Sequence, residues 1–409
     1  MVVGFLSGMA LAASLATGST SAAACDPDNG GLKLPAGLCA QLVADGVGYV
    51  RHLAVAPNGD IFAARAGRTG SGVVLLRDTD ADGKVDQVTQ FYEGDGGSGL
   101  LLTDRYLYFA QNDKVLRFEW RAGATAPVGE PVVVARDLPT GGHASKGLAL
   151  RGNDLFVSFG SRSNSCQAPG EDRRGPHPGV QPCPELAIRA GIWLFKADGR
   201  DQTPADARRY ATGMRNPMAM AVEPTTGTLY VATHGRDQLT ENWSWPAEEG
   251  RENPAEEFGP VPDGADYGWP YCYFDPRKKA KLLNPEYGGD GTKAGDCGAK
   301  AQPAIGFPAH WAPNGLMFYG GSMLPAEYRG GAFLAFHGSW NRAPAPQQGF
   351  RVVFIPFEGG KPTGQWSDFV LPSGAADSIR PTGLAQGPDG ALYVGADQQG
   401  KIWRVTTSK

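Results

Sequence analysis

Apolar and polar positions follow one phrase that returns six times along this chain: a short apolar run, a turn of small or polar residues, then a second apolar or aromatic run. The copies span 51–65, 97–112, 145–160, 215–237, 313–339 and 380–398. Asn-Gly, Asp-Gly and Asn-Asp pairs at the joints are strong hairpin signals. A third apolar run follows several copies, at 114–120, 191–199, 350–360 and 401–405. One hairpin cannot hide its apolar face, so repeated strand groups must stack, and radial closure protects their edges. This predicts an all-β chain, a six-bladed β-propeller over 25–409. The long segments 161–190 and 238–312, after the third and fourth copies, are expected as surface loops on the working face.

Composition agrees with such a fold. The 58 Gly and 32 Pro suit many turns, and 41% hydrophobic residues exclude a disordered chain. The net charge is only −4, with both signs interspersed, so no global field points to nucleic acid or an anionic membrane. Residues 1–24 are apolar and end in small residues, the pattern of a secretory signal peptide cleaved near 22–24, which implies a periplasmic or secreted protein. Two alternatives remain at this stage. A membrane anchor there would have a short apolar core, and a lipid on Cys25 would lack the Leu expected three residues earlier. The six cysteines form three sequential neighbours, Cys25 with Cys39, Cys166 with Cys183 and Cys272 with Cys297. Those disulfides close the shortest loops, buried free thiols being the alternative. The absence of CxxC and CxxCH leaves zinc ribbons and covalent haem unsupported.

If the first run of each copy is the innermost strand, residues just before it and just after the second run share one end of the central channel. The first set is Arg51, His52, His143, Arg215, Asn216, His310, Asn314, Arg380 and Thr382. The second is Arg65, Gln111, Ser161, Arg162, His234 to Asp237, His337 to Arg342, Asp397 and Gln398. Five of the six histidines fall in these sets, all but His177. Singly, an Arg at a strand start is more often a surface or interblade ion pair. Several guanidinium groups around one mouth imply a bound polyanion, because Arg offers a planar fork to carboxylates.

These residues resemble the soluble quinoprotein sugar dehydrogenases of the glucose and sorbosone dehydrogenase type, which use pyrroloquinoline quinone (PQQ). The resemblance begins at about residue 35 and rests on RNP at 215–217, HGRD at 234–237, GADYGWP at 264–270 and RPTGLAQGPDG at 380–390, each in its own blade position. It implies a PQQ-dependent dehydrogenase acting on a sugar-type alcohol, hemiacetal or aldehyde, passing electrons to an external acceptor. PQQ carries three carboxylates and an ortho-quinone, so a ring of Arg and His is its complement. By resemblance, Arg215 and Asn216 lie at the quinone oxygens and stabilise developing charge. Arg380 matches a further cofactor contact, Arg51, His310 and Thr382 are expected as cofactor contacts from the polar ring, and His337, Asn341 and Arg342 stand where the family holds a PQQ carboxylate. His143 stands at the general base. In glucose-type members a carboxylate precedes this base, whereas here Gly142 does, so its orienting partner is unidentified.

Calcium is the second implied cofactor, held in the family by backbone carbonyls of the loop matching Gly235 and Arg236 and polarising the carbonyl that accepts hydride. Separately, Asp78, Asp80, Asp82, Gly83 and Asp86 form a D-x-D-x-D-G turn, the first half of an EF-hand-like loop, with Thr89 where the bidentate Glu would stand. It is read as a structural calcium site or a bare solvated turn. Gly94, Gly96 and Gly99 fit G-x-G-x-x-G, yet a strand run follows and no helix, so NAD is not supported. Two other classes stay open. A lactonase-type propeller would gather carboxylates and amides around a metal, and a non-catalytic binding propeller would show aromatic surfaces without a cationic ring.

Overall fold

The computed structural model describes residues 25–67 and 71–408. The signal-peptide reading at 1–24 lies outside the described residues. Six antiparallel sheets form the blades, each led by an inner strand from one copy of the repeated phrase. These inner strands are Val50–Val55, Gly97–Leu102, Leu148–Arg151, Pro217–Val222, Pro313–Phe318 and Pro381–Gln386, leading blades I to VI in turn.

Two features escaped the pattern of apolar positions. Leu38–Ala44 pairs with Lys401–Thr407, so the N-terminal strand supplies the outer edge of blade VI and closes the ring. Blade IV takes its third and fourth strands, Glu256–Pro260 and Ile305–Phe307, from the segment 238–312. That segment is therefore not simply a loop: it also holds helices Leu239–Trp243 and Ala247–Glu252 and the hairpin Cys272–Asp275 with Ala280–Leu283. Long insertions between successive strands of one blade interrupt the spacing that made the other blades readable.

The core lies between blades. Phe156, Ile192 and Tyr210 of blade III pack against Met220 and Val231 of blade IV. The next residues along the same strand, Leu155 and Val157, face blade II beside Tyr108 and Val115. Period-two alternation thus buries both faces, which is why the strands read as nearly continuous apolar runs.

At the channel the inner strands approach closely. A Cβ on Gly99 would lie 2.8 Å from Lys146 O, on Gly147 2.4 Å from Met218 O, on Gly315 2.2 Å from Thr382 O, and on Gly383 2.4 Å from Arg51 O. Each of these glycines therefore rests on the backbone of the following blade. Five inner strands also carry a register shift at their first residues, between Val50 and Leu53, Gly97 and Gly99, Pro217 and Ala219, Pro313 and Gly315, and Pro381 and Gly383. A bulge re-aims the extra residue, here at the same end of all five strands.

All three expected disulfides form, Cys25–Cys39, Cys166–Cys183 and Cys272–Cys297. No helix among the described residues is long and apolar enough to cross a membrane.

Candidate active site

The bulged ends of the inner strands surround a cavity of about 380 Å³. Of the residues expected from the two polar sets, it is lined by Arg51, His143, Arg215, Asn216, His234, Gly235, Asp237, His310, Asn314, His337 and Asn341. Trp340, within the expected run His337 to Arg342, and Arg173 and Glu256, outside both sets, also line it. Arg173 and Glu256 come from the long insertions, where no periodicity marked them.

His143 is the most informative of these side chains. Its backbone N–H donates to Ser161 O at 2.9 Å, and its ring Nδ1 lies 2.9 Å from the same oxygen and 3.1 Å from Ser161 Oγ. A carbonyl oxygen only accepts, and Ser161 Oγ gives its own proton to Ser163 O at 2.6 Å. Nδ1 must therefore carry the hydrogen, which leaves Nε2 bare. Ser161 is the orienting partner that the sequence did not reveal. A carboxylate at 142 is excluded sterically, because a Cβ on Gly142 would lie 2.2 Å from Arg162 O. Burial first, and then the neighbouring Arg215, lower the His143 pKa to about 3, which favours a neutral ring at neutral pH.

The expected ring of free cations is corrected by its partners. Asp237 accepts from Arg215 Nη2 at 2.9 Å, Arg173 Nη2 at 2.8 Å and Asn341 Nδ2 at 2.9 Å, and it lies 3.6 Å from His310 Nδ1. Burial opposes its charge, but Arg215, His310 and Arg173 outweigh that and hold its pKa well below the usual range. The backbone of Asp237 is pinned on both sides by Asn164, whose Nδ2 donates to its carbonyl and whose Oδ1 accepts its N–H. Asp397 accepts from Arg51 Nη1 at 3.0 Å and His337 Nε2 at 2.9 Å, linking blades I, V and VI. Glu256 accepts the N–H of Gly235 and of Ala312, and burial pushes its pKa up to about 7. Carboxylates thus face this mouth alongside Arg and His, each already engaged.

Other expected contacts fall elsewhere. Arg342 is buried away from the cavity, donating to Arg251 O, Ala309 O and Glu252. Thr382 is fully buried and donates to Val50 O, a seam contact between the last and first blades. Arg380 lies over the Phe350 ring at 4.7 Å, behind His337. His52 and His234 each give their Nε2–H to a backbone carbonyl of the blade V inner strand, Asn314 O at 2.7 Å and Pro313 O at 2.8 Å. The Arg236 side chain forms a buried pair with Glu286. Gly235 O, one of the two carbonyls that the resemblance assigns to calcium, accepts from Arg215 Nη1 at 2.7 Å. In the acidic turn, Asp78, Asp80 and Asp86 each bring one oxygen within 4.8 Å of the others, without Asp82. Asp82 instead accepts from Lys84 N at 2.7 Å.

Comparison with known families decides the class. A family model described as TrAA12-like matches residues 32–408. The chain belongs to the TrAA12-like family. Within this family context, the structure of Trichoderma reesei carbohydrate-active enzymes family AA12 superposes with a TM-score of 0.78 at 19% identity, covering 92% of this chain and 98% of that one. The holo PQQ domain of pyranose dehydrogenase from Coprinopsis cinerea gives 0.73 at 20%, covering 92% and 97%. The PQQ-bound aldose sugar dehydrogenase of Streptomyces coelicolor gives 0.57 at 17%, covering 92% and 100%. By sequence, 176 residues are 30% identical to the PQQ-dependent pyranose dehydrogenase of Coprinopsis cinerea, covering 37% of this chain and 23% of that protein. An uncharacterized Borreliella burgdorferi protein is 27% identical over 205 residues, covering 49% of this chain and 48% of that one. These matches span less than half of either relative's length.

Proposed function

We propose that this TrAA12-like propeller is an exported quinoprotein dehydrogenase that oxidises a sugar-type alcohol, hemiacetal or aldehyde with PQQ in the 380 Å³ cavity. The observation that carries this is the fixed tautomer of His143, a neutral base with Nε2 bare in a cavity walled by Arg, Asn and Trp side chains.

The residues present fit the cofactor. Asn341 Oδ1 is buried without a protein partner, although its amide nitrogen is fully engaged. Among the described residues, the side-chain amides of Asn216 and Asn314 also have no protein partner while lining the cavity. Arg51, Arg173 and Arg215 add guanidinium groups for carboxylates. When bound, PQQ supplies the quinone that accepts hydride. His143 Nε2 takes the substrate's hydroxyl proton. A base with its pKa near 3 does so only as the hydride departs and the hydroxyl becomes strongly acidic. Arg215, held in place by Asp237, Gly235 O and Asn164 O, keeps N–H groups for the charge that develops, together with Asn216. Trp340, 65% exposed at the rim, offers an apolar face on which a sugar ring can stack.

Calcium, which the resemblance places on the Gly235 and Arg236 carbonyls, would share Gly235 O with the hydrogen bond from Arg215, since a carbonyl has two lone pairs, and no step proposed here depends on it. A metal-dependent hydrolase is less well supported, since Asp237 and Glu256 are already bound by cations and backbone N–H groups. Three disulfides support an oxidising, extracytoplasmic compartment, and with no haem motif electrons pass to an external acceptor. Reconstitution tests the proposal: PQQ added to purified protein should give a bound-quinone spectrum and sugar-dependent dye reduction. Absence of PQQ binding at micromolar concentration overturns it.

A further inference from the structure

The loop that presents His143, residues 139–146, has four of its carbonyls capped by two buried cations. Lys146 Nζ donates to Pro139 O at 2.8 Å and to Ala144 O. Arg189 Nη1 donates to Gly141 O at 3.1 Å and its Nη2 to Thr140 O. Lys146 is 1% exposed and Arg189 9%. Neither is within ion-pair distance of a carboxylate among the described residues, and burial lowers the pKa of both, with Arg189 lowering that of Lys146 further.

The repeat register makes Lys146 anomalous. Gly99, Gly147, Gly315 and Gly383 occupy one equivalent position, and the residue before each is Ser98, Lys146, Asn314 and Thr382. By the same close contact Met218 of blade IV and Arg51 of blade I also stand at this position, and Arg51 is paired with Asp397, so among the described residues Lys146 is the long cation there without a carboxylate. A long cation buried without a carboxylate costs several kcal/mol in principle, so a blade that needed only stability would be better served by another Ser or Thr. What Lys146 and Arg189 both hold is the loop carrying one catalytic candidate, whose ring is anchored from the opposite side by Ser161. We infer that Lys146 and Arg189 are positioning residues that lock the 139–146 loop and so fix His143 Nε2 toward the substrate. Neither side chain lines the cavity, so they act through the loop and not on the substrate or cofactor.

This inference rests on the reading of His143 as base. The experiment uses the full chain. Lys146→Met should speed amide hydrogen exchange across 139–146 in the PQQ-free protein by about tenfold or more, a readout that needs no catalysis. In the PQQ-loaded enzyme it should lower kcat about tenfold while KM and PQQ affinity stay within about twofold, the pattern of a misplaced catalytic group. Lys146→Arg, which can still cap carbonyls, should restore most of both. If Lys146→Met does not fold, Arg189→Gln reads the same loop through Thr140 and Gly141. Unchanged exchange and kcat, or kcat, KM and PQQ affinity falling together, overturns the positioning role. Full turnover by His143→Ala instead overturns the base assignment, a separate result.

Discussion

The two ends of the central channel are built from the same six inner strands and differ completely in chemistry. The end described above encloses about 380 Å³ among Arg, His, Asn and carboxylate side chains. The other encloses about 650 Å³ and is walled largely by Leu53, Val55, Leu100, Leu148, Met220, Leu316 and Leu384. The larger hollow is therefore the more apolar one, with His52, Thr103, Asp104 and Gln386 as its polar side chains. The bulges account for this, because they sit only where the strands enter the ring, and one extra residue there breaks the apolar alternation that continues beyond. Arg51 and His52 show the split within one step of chain: Arg51 lines the polar cavity, while His52 lines the apolar one.

Substitutions can break this contrast, and the largest effect is expected at its polar end. His143→Ala should lower kcat by about 10²–10⁴, the usual contribution of a general base, with PQQ affinity within about threefold by spectral titration. Full activity there would remove the main chemical distinction between the ends. Met220→Ala at the apolar end should cost about 2–5 kcal/mol in denaturant unfolding, as for a buried Met, yet leave PQQ affinity within about twofold. Loss of PQQ binding would mean that the two cavities act as one site. Arg51→Ala should weaken PQQ binding by about 10- to 100-fold, the range for a charge-assisted hydrogen bond of about 1.5–3 kcal/mol.

The smallest effect sharpens the comparison through pH. Burial, and then Arg51, lower the His52 pKa from 6.5 to about 4 despite its bond to Asn314 O. Below pH 6.5 the unfolded chain takes up a proton there that the folded chain refuses, so this stability is present above 6.5 and is lost as pH falls toward 4. In His52→Gln, whose amide can still reach Asn314 O, stability between those values should fall less steeply by up to about 1.4 kcal/mol per pH unit. Parallel Tm-against-pH curves for the two proteins would contradict the burial.

The blades and the inward ends of their strands were legible because each repeat carries its own turn chemistry and apolar alternation. His143, Arg215, Asn216 and Asn341 could be placed from repeat register alone. Arg173 and Asn164 could not, since each reaches Asp237 from an insertion whose conformation depends on a disulfide and on long-range pairing. Glu256 was hidden because its strand follows two helices inside an apparent loop. The pairing of cations with carboxylates was equally invisible. Arg215 and Asp237 meet at the end of the blade IV hairpin, whereas Arg51 and Asp397 are 346 positions apart, so only the closed ring brings that second pair together.

That last separation has a consequence for how the molecule comes into being. Arg51 and Asp397 clasp each other across the seam where Leu38–Ala44 completes the final blade. A chain still emerging from a ribosome or a translocation channel lacks one partner of the clasp, so it can stack early blades but cannot own the pocket. A chain stalled short of the last blade therefore lacks the carboxylate that holds Arg51 and His337 in the cavity wall.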